Sequence, residues 1–173
     1  ATDVNALRPY MAHLPFRAIY GLRGDDLQPA VGDAYRLRLF SDEVSLQAIV
    51  GSRFFGNRYA ETFFRERSRG SGSAFYDLLL WNPDAPAAPI EELPLVRHFR
   101  VVGSVIARES WDYKNSTLFE FRAASFHAGN HQHNDSGAFS LYYKAPLLLD
   151  SGIYDSYGTS HFYNYYQRTI AHN

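Results

Sequence analysis

The stretch from Pro83 to Pro94 holds four of the chain's eight prolines: Pro83, Pro86, Pro89 and Pro94. Each proline fixes φ and removes a backbone N–H, so neither a helix nor a central strand persists through such a run. The chain therefore divides into a helical region over residues 1–82, a proline-rich linker over 83–94 and a strand region over 95–173.

On the N-terminal side, Asp42 to Gly56 reads as a helix opened by Ser41 or Asp42. Arg58 to Arg69 reads as a second that stops at Gly70-Ser71-Gly72, and a short third runs from about Ser73 to Trp81. Beyond the prolines the pattern changes. Val96 to Arg108 and Thr117 to Phe126 are rich in β-branched and aromatic residues, with Asp112, Lys114, Asn115 and Ser116 as turn residues between them. Leu141 to Asp150 continues the strands, and Pro146 within it belongs at a hairpin turn or a sheet edge. Helices followed by strands predict an α+β architecture of two packed units.

Composition narrows the partners. Seventeen basic and eighteen acidic residues give a net charge of -1, so the chain lacks the basic field that nucleic acid selects. No stretch approaches the length needed to cross a bilayer, and Ala1 to Tyr10 shows no basic start followed by an apolar run. Cysteine is absent, which removes disulfides and thiolate metal sites and leaves any metal to histidine and carboxylate. Seven tyrosines crowd the 25 residues from Tyr142 to Tyr166. Tyrosine pairs a stacking face with a polar tip, a combination suited to sugars, although it is also a good strand former.

The sharpest local feature is Gly129-Asn130-His131-Gln132-His133-Asn134-Asp135. In an extended strand, residues two apart share a face, so His131 and His133 could share a metal. Asp150, after Leu147-Leu148-Leu149, offers a third donor, and His172 a fourth. Two imidazoles and a carboxylate suit zinc or another divalent first-row ion. The alternative is structural: the histidines decorate a surface strand and Asp150 merely ends one. Asp135 fits better as a group orienting an imidazole than as a ligand.

From about Leu93 onward, an ordered set of motifs resembles the heparinase II/III-like polysaccharide lyases and their alginate-lyase relatives. The set runs from Val102-Gly103 through Ile106-Ala107-Arg108 and Trp111-Asp112 to His131-Gln132-His133-Asn134-Asp135 with Gly137 and Phe139. It continues with Leu147-Leu148-Leu149-Asp150-Ser151-Gly152-Ile153-Tyr154 and closes with Arg168-Thr169-Ile170-Ala171-His172-Asn173. The resemblance implies the last helices of an α/α toroid followed by an antiparallel β-sandwich, here as an incomplete excerpt of a longer protein. It implies metal ligands His133, Asp150 and His172 around a structural divalent ion, zinc by preference, with His131 turned toward the cleft.

The implied activity is cleavage of 4-linked uronic-acid polysaccharides, heparan-like or alginate-like, by β-elimination. The C5 proton of a uronate is weakly acidic until the neighbouring carboxylate is neutralised and the developing charge stabilised. His131 fits that role, with Tyr163 as a second catalytic group and Asn130, Tyr154 and Arg168 as substrate contacts. The principal tyrosine of such lyases, and its asparagine or histidine neighbour, have no recognisable match in residues 1–95, where Tyr20, Tyr35 and His13 lack context. An acidic polysaccharide substrate implies a periplasmic or secreted protein, with homo-oligomerisation open. Competing readings are a uronate C5-epimerase of similar fold, a cupin-type metal barrel, or a non-catalytic, metal-stabilised carbohydrate-binding module. No glutamate follows His133, which counts against the cupin.

Overall fold

The computed structural model describes residues 4–29, 42–67, 74–125, 133–149, 156, 158–166 and 168. The chain forms two compact units: Ala1–Tyr20 with Leu39–Pro94, and Gly21–Arg38 with Leu95–Asn173.

The first unit is helical, with α1 (Val4–His13), α2 (Pro15–Gly21), α3 (Asp42–Phe55), α4 (Arg58–Arg67) and α5 (Ala74–Leu79). Helix α3 buries Ser45, Ala48, Ile49 and Ser52, the i, i+3, i+4, i+7 stripe of an amphipathic helix. Gly56, at φ 69, ends α3, and its N–H donates to the Ser52 carbonyl at 3.0 Å. Asn57 then caps α4: its Oδ1 accepts the N–H groups of Tyr59 at 3.1 Å and Ala60 at 3.0 Å. Its amide donates to the Ala12 carbonyl at 2.7 Å, which ties the end of α1 to the same corner. Helices α1 and α2 fall within the region expected to be helical, although Pro9 and Pro15 leave no sequence signal for their individual bounds. The structure nonetheless keeps Pro9 inside α1, and the Arg8 guanidinium donates to the Phe54 carbonyl at 3.0 Å.

The proline-rich segment is an ordered strap along α4. Ala88 N–H donates to the Arg58 carbonyl at 3.2 Å, and the Thr62 hydroxyl donates back to the Ala88 carbonyl at 2.6 Å. Arg65 reaches the Pro83 and Ala85 carbonyls at 2.9 and 3.1 Å. Ala85, Ala88, Ile90 and Leu93 are its buried side chains, so the strap contributes to the core although its one regular element is a 3-10 turn at Ile90–Glu92. At its end the buried Tyr20 hydroxyl donates to the Pro94 carbonyl at 2.6 Å.

The second unit is built on a five-stranded antiparallel sheet in the order β1-β2-β3-β4-β5, comprising Val96–Phe99, Ser104–Arg108, Leu118–Arg122, Phe139–Tyr143 and Ala145–Leu148. Strands adjacent in sequence are adjacent in space, as short connections favour. The expected single strand from Val96 to Arg108 is two strands, β1 and β2, folded at Arg100–Gly103. Gly103 stands at φ 61, where a Cβ would lie 2.3 Å from the Ala124 Cα, so this turn admits only glycine. Pro146 lies in β5, last in the strand order among the described residues, in keeping with the edge or turn position expected of it.

Candidate active site

The pairing register sorts the sheet's side chains into two faces. Ser104 opposes Arg122, Ile106 opposes Glu120, Arg108 opposes Leu118, and Leu118 and Glu120 oppose Tyr142 and Ser140. Directly paired residues share a face, and on this one Ser104, Ile106, Arg108, Leu118, Glu120 and Tyr142 are all buried. The other face carries Val105, Ala107, Phe119, Phe121, Phe139 and Leu141, every one half-buried. Burial is thus deepest on the polar face. Charged side chains are almost never fully buried without partners, so such a face marks a built site or a built network.

Glu120 accepts a hydrogen bond from the Ser104 hydroxyl at 2.6 Å, across the β2–β3 pair. Beside it the backbones of Arg122 and Gly137–Ala138 exchange hydrogen bonds of 2.7 and 2.9 Å, which bring the loop carrying His133 and Asp135 against β3. His133 and Asp135 are buried while Asn134 and Ser136 between and after them are exposed. Arg122 Nε lies 2.7 Å from Asp135 Oδ2. Asp135 is 1% exposed, and its Oδ1 has no hydrogen-bond partner among the described residues. A buried carboxylate in that condition retains acceptor capacity for a donor or a cation.

At the other end of the face, Arg108 donates to the Leu22 carbonyl at 2.7 Å and lies over the Tyr113 ring at 4.4 Å and the Trp111 ring at 5.7 Å. Arg23 forms a two-point ion pair with Asp25 and stands 4.6 Å above the Tyr142 ring. Burial and the nearby Asp25 carboxylate push the Tyr142 phenol above its ordinary value, outweighing Arg23, so it remains neutral. Gly24 passes so close to the sheet's loop that a Cβ would meet the Tyr113 carbonyl at 2.6 Å. Leu22 to Asp25 therefore belongs structurally to the sheet unit.

The tyrosine-rich end forms a π-helical turn over Phe162–Tyr166. Phe162 is buried, its N–H accepted by the Thr159 hydroxyl at 3.1 Å. Tyr163 packs edge-on against Phe162 with centroids 4.9 Å apart and is 52% exposed. Arg168 is exposed, its N–H held by the Tyr165 carbonyl at 3.0 Å.

The family model described as Heparinase II/III-like, C-terminal, matches residues 92–173, the span that contains this face and this turn. Residues 92–173 belong to the heparinase II/III-like family. Solved structures share the fold, among them two lyase structures. The heparan sulfate lyase HepC from Pedobacter heparinus superimposes with a TM-score of 0.61 at 20% identity, over 91% of this chain and 22% of that one. A solved heparinase III superimposes with a TM-score of 0.57 at 19% identity, over 90% of this chain and 22% of its own. The chain thus spans about a fifth of the length of the structures it matches. No curated protein sequence matches it.

Within this heparinase-like domain, the expected site residues fall into three groups. His133 is buried beside Asp135, at one end of the polar face. Tyr163 and Arg168 stand at the π-helical turn. Asn130, His131, Asp150, Tyr154 and His172 lie outside the described residues. Among the described residues no three histidine, aspartate or glutamate side chains gather closely enough to hold a metal. The donors present still fit one in type, since His133 supplies a buried imidazole and Asp135, two residues on, a buried carboxylate. Sequence reasoning passed over Arg23, Arg108, Glu120 and Arg122 as site residues. The legible signal was charge at alternate positions of otherwise apolar strands, in Arg108, Glu120 and Arg122.

Proposed function

We propose that this chain is part of a polysaccharide lyase that cleaves 4-linked uronic-acid polymers, heparan-like or alginate-like, by β-elimination. The observation that carries the reading is a buried polar sheet face, with His133 and Asp135 at its end, inside a heparinase II/III-like domain. In this reading His131 faces the cleft and stabilises the charge that develops as the C5 proton leaves. Tyr163 sits within reach of water on its turn and serves proton transfer, either at C5 or to the departing O4. A phenol titrates near pH 10, so base duty requires cationic or hydrogen-bonding neighbours, whereas acid duty does not.

Asn130, Tyr154 and Arg168 contact the sugar, with Arg168 taking a carboxylate or sulfate. His133, Asp150 and His172 hold a divalent ion, zinc by preference. When bound, that ion is structural, tying the His133 loop to the chain segments bearing Asp150 and His172. Asp135, paired with Arg122, keeps acceptor capacity with which to orient an imidazole. Polymer substrates of this size place the protein in the periplasm or outside the cell.

The full-length protein is to be incubated with a panel of sulfated and unsulfated uronic-acid polymers. Unsaturated uronate, followed by its ultraviolet absorbance, is the expected product. Solvent deuterium entering the polymer without chain cleavage would replace the lyase with an epimerase.

A further inference from the structure

The tyrosines of the C-terminal turn are only partly accounted for by Tyr163. His161 and Tyr165, four residues apart, stack with ring centroids 5.1 Å apart and planes inclined by 29°. Both are exposed, Tyr165 to 45%. Exposed aromatic rings lose favourable burial unless something covers them, and two rings already stacked lose little further freedom when it does. Their turn is anchored. Phe162, between them in sequence, is 2% exposed, the Thr159 hydroxyl accepts its N–H, and the Asn164 amide donates to the Ser160 hydroxyl at 3.1 Å. The turn is also π-helical, a widened form found disproportionately at functional sites.

Charge selects the ligand. From Ser156 to Arg168 the chain contains no aspartate or glutamate, while His161 and Arg168 supply donors that complement an anion. A stacking face without carboxylates that itself includes an imidazole, with Arg168 three residues after Tyr165 and bound to its carbonyl through the main chain, suits an acidic pyranose. The ring's C–H face would lie on the aromatics and its carboxylate toward the donors.

We infer that the stacked His161–Tyr165 pair is a sugar-binding platform, which takes a uronate ring of the polymer outside the reacting position and sets affinity without taking part in bond cleavage. The inference rests on the uronate-lyase reading above for its substrate, but its geometry is independent of the metal and of His131.

The test uses the full-length protein with an unsulfated glucuronate-containing oligosaccharide, an oligomannuronate and a neutral oligoglucoside of matched length. Tyr165→Ala and Tyr165→Leu, the latter keeping bulk without a π face, should each raise KM about tenfold and leave kcat within about twofold, the pattern of lost uniform binding. Tyr165→Trp should restore KM, and thermal unfolding should be unchanged because Phe162 still anchors the turn. Wild-type KM in both the Ala and Leu variants overturns the platform, as does a loss confined to kcat, or neutral sugar bound as tightly as uronate. Absence of unsaturated product with every oligosaccharide sinks the lyase reading instead. Titration calorimetry with the same oligosaccharides then decides the platform alone: binding that Tyr165→Ala abolishes upholds it, and no binding by the wild type removes it.

Discussion

Each unit buries carboxylates against arginines, and the two do so with different completeness. In the helical unit Glu61 is 1% exposed, and both of its oxygens are engaged: Ser52 donates at 2.7 Å, Arg65 at 2.6 Å, and Arg53 pairs directly with it. Further arginine donors go to main-chain carbonyls, Arg53 to Leu80 at 2.7 Å and Arg65 to Pro83 and Ala85, and Arg53 also donates to the Ser52 hydroxyl. In the sheet unit Asp135 is equally buried, yet it has one ion pair with Arg122 and an Oδ1 that no described group meets. A saturated network holds structure. One with acceptor capacity left over, two residues along the chain from a buried histidine, is positioned for another group.

The largest effect should come from the saturated network. Glu61→Ala strands two guanidinium groups, one of them mostly buried, and should cost about 3–5 kcal/mol, the usual penalty for breaking a buried pair. Denaturant unfolding measures it. The pH dependence has a definite sign. Burial alone would raise the Glu61 carboxyl, but hydrogen bonds from Arg53, Ser52 and Arg65 outweigh it and hold the group below its ordinary value of 4.5. Its stabilisation is therefore complete above the unfolded-state value and is lost as pH falls through the lowered folded one. Acid unfolding of Glu61→Gln should show a shallower slope in that window; an unchanged slope would make Glu61 an ordinary buried carboxyl and erase the contrast between the units.

The sheet unit should answer to metal instead. Chelation of the full-length protein should lower its melting temperature, by the equivalent of about 2.7 kcal/mol where free metal stood at a hundredfold over Kd. His133→Ala should abolish the difference between loaded and chelated protein, while Glu61→Ala should preserve it. A chelator that leaves the wild type unmoved would reduce His133 to a core histidine.

Local chemistry was legible in the sequence, and long-range pairing was not. The three helices expected after Asp42 are present as α3, α4 and α5 because their caps and apolar spacing are local signals. The prolines ruled out an α-helix or central strand over 83–94, but that Arg58, Thr62 and Arg65 would pin that stretch as a strap depends on groups up to 30 residues away. The turn between β1 and β2 was hidden because Val101 and Val102, strand formers by type, sit exposed in it. His133 stood out by its spacing to His131, and the structure buries it. The polar face was not, since only the register reveals that Glu120, Ser104 and Arg108 share a side.

A smaller effect sharpens where the sheet unit ends. Arg108→Ala removes the hydrogen bond to the Leu22 carbonyl and the stacking on Tyr113 and Trp111, and should cost about 2 kcal/mol. Hydrogen exchange should localise the loss to Leu22–Leu27 as well as β2. Loss confined to β2 would detach that segment from the sheet unit.

The smallest change probes the end of the strap. Tyr20 is fully buried, and its hydroxyl is the donor to the Pro94 carbonyl, one residue before the sheet unit resumes at Leu95. Tyr20→Phe keeps the ring and its packing and removes only that donor, so the expected cost is about 1 kcal/mol, a single neutral hydrogen bond. Because the Pro94 carbonyl is part-buried, water can take over some of its needs, which sets the effect below that of Glu61. The loss should appear in global unfolding and leave the metal-dependent increment untouched. A change in that increment would mean that the strap's end transmits to the His133 loop, and the two kinds of buried charge would no longer be independent.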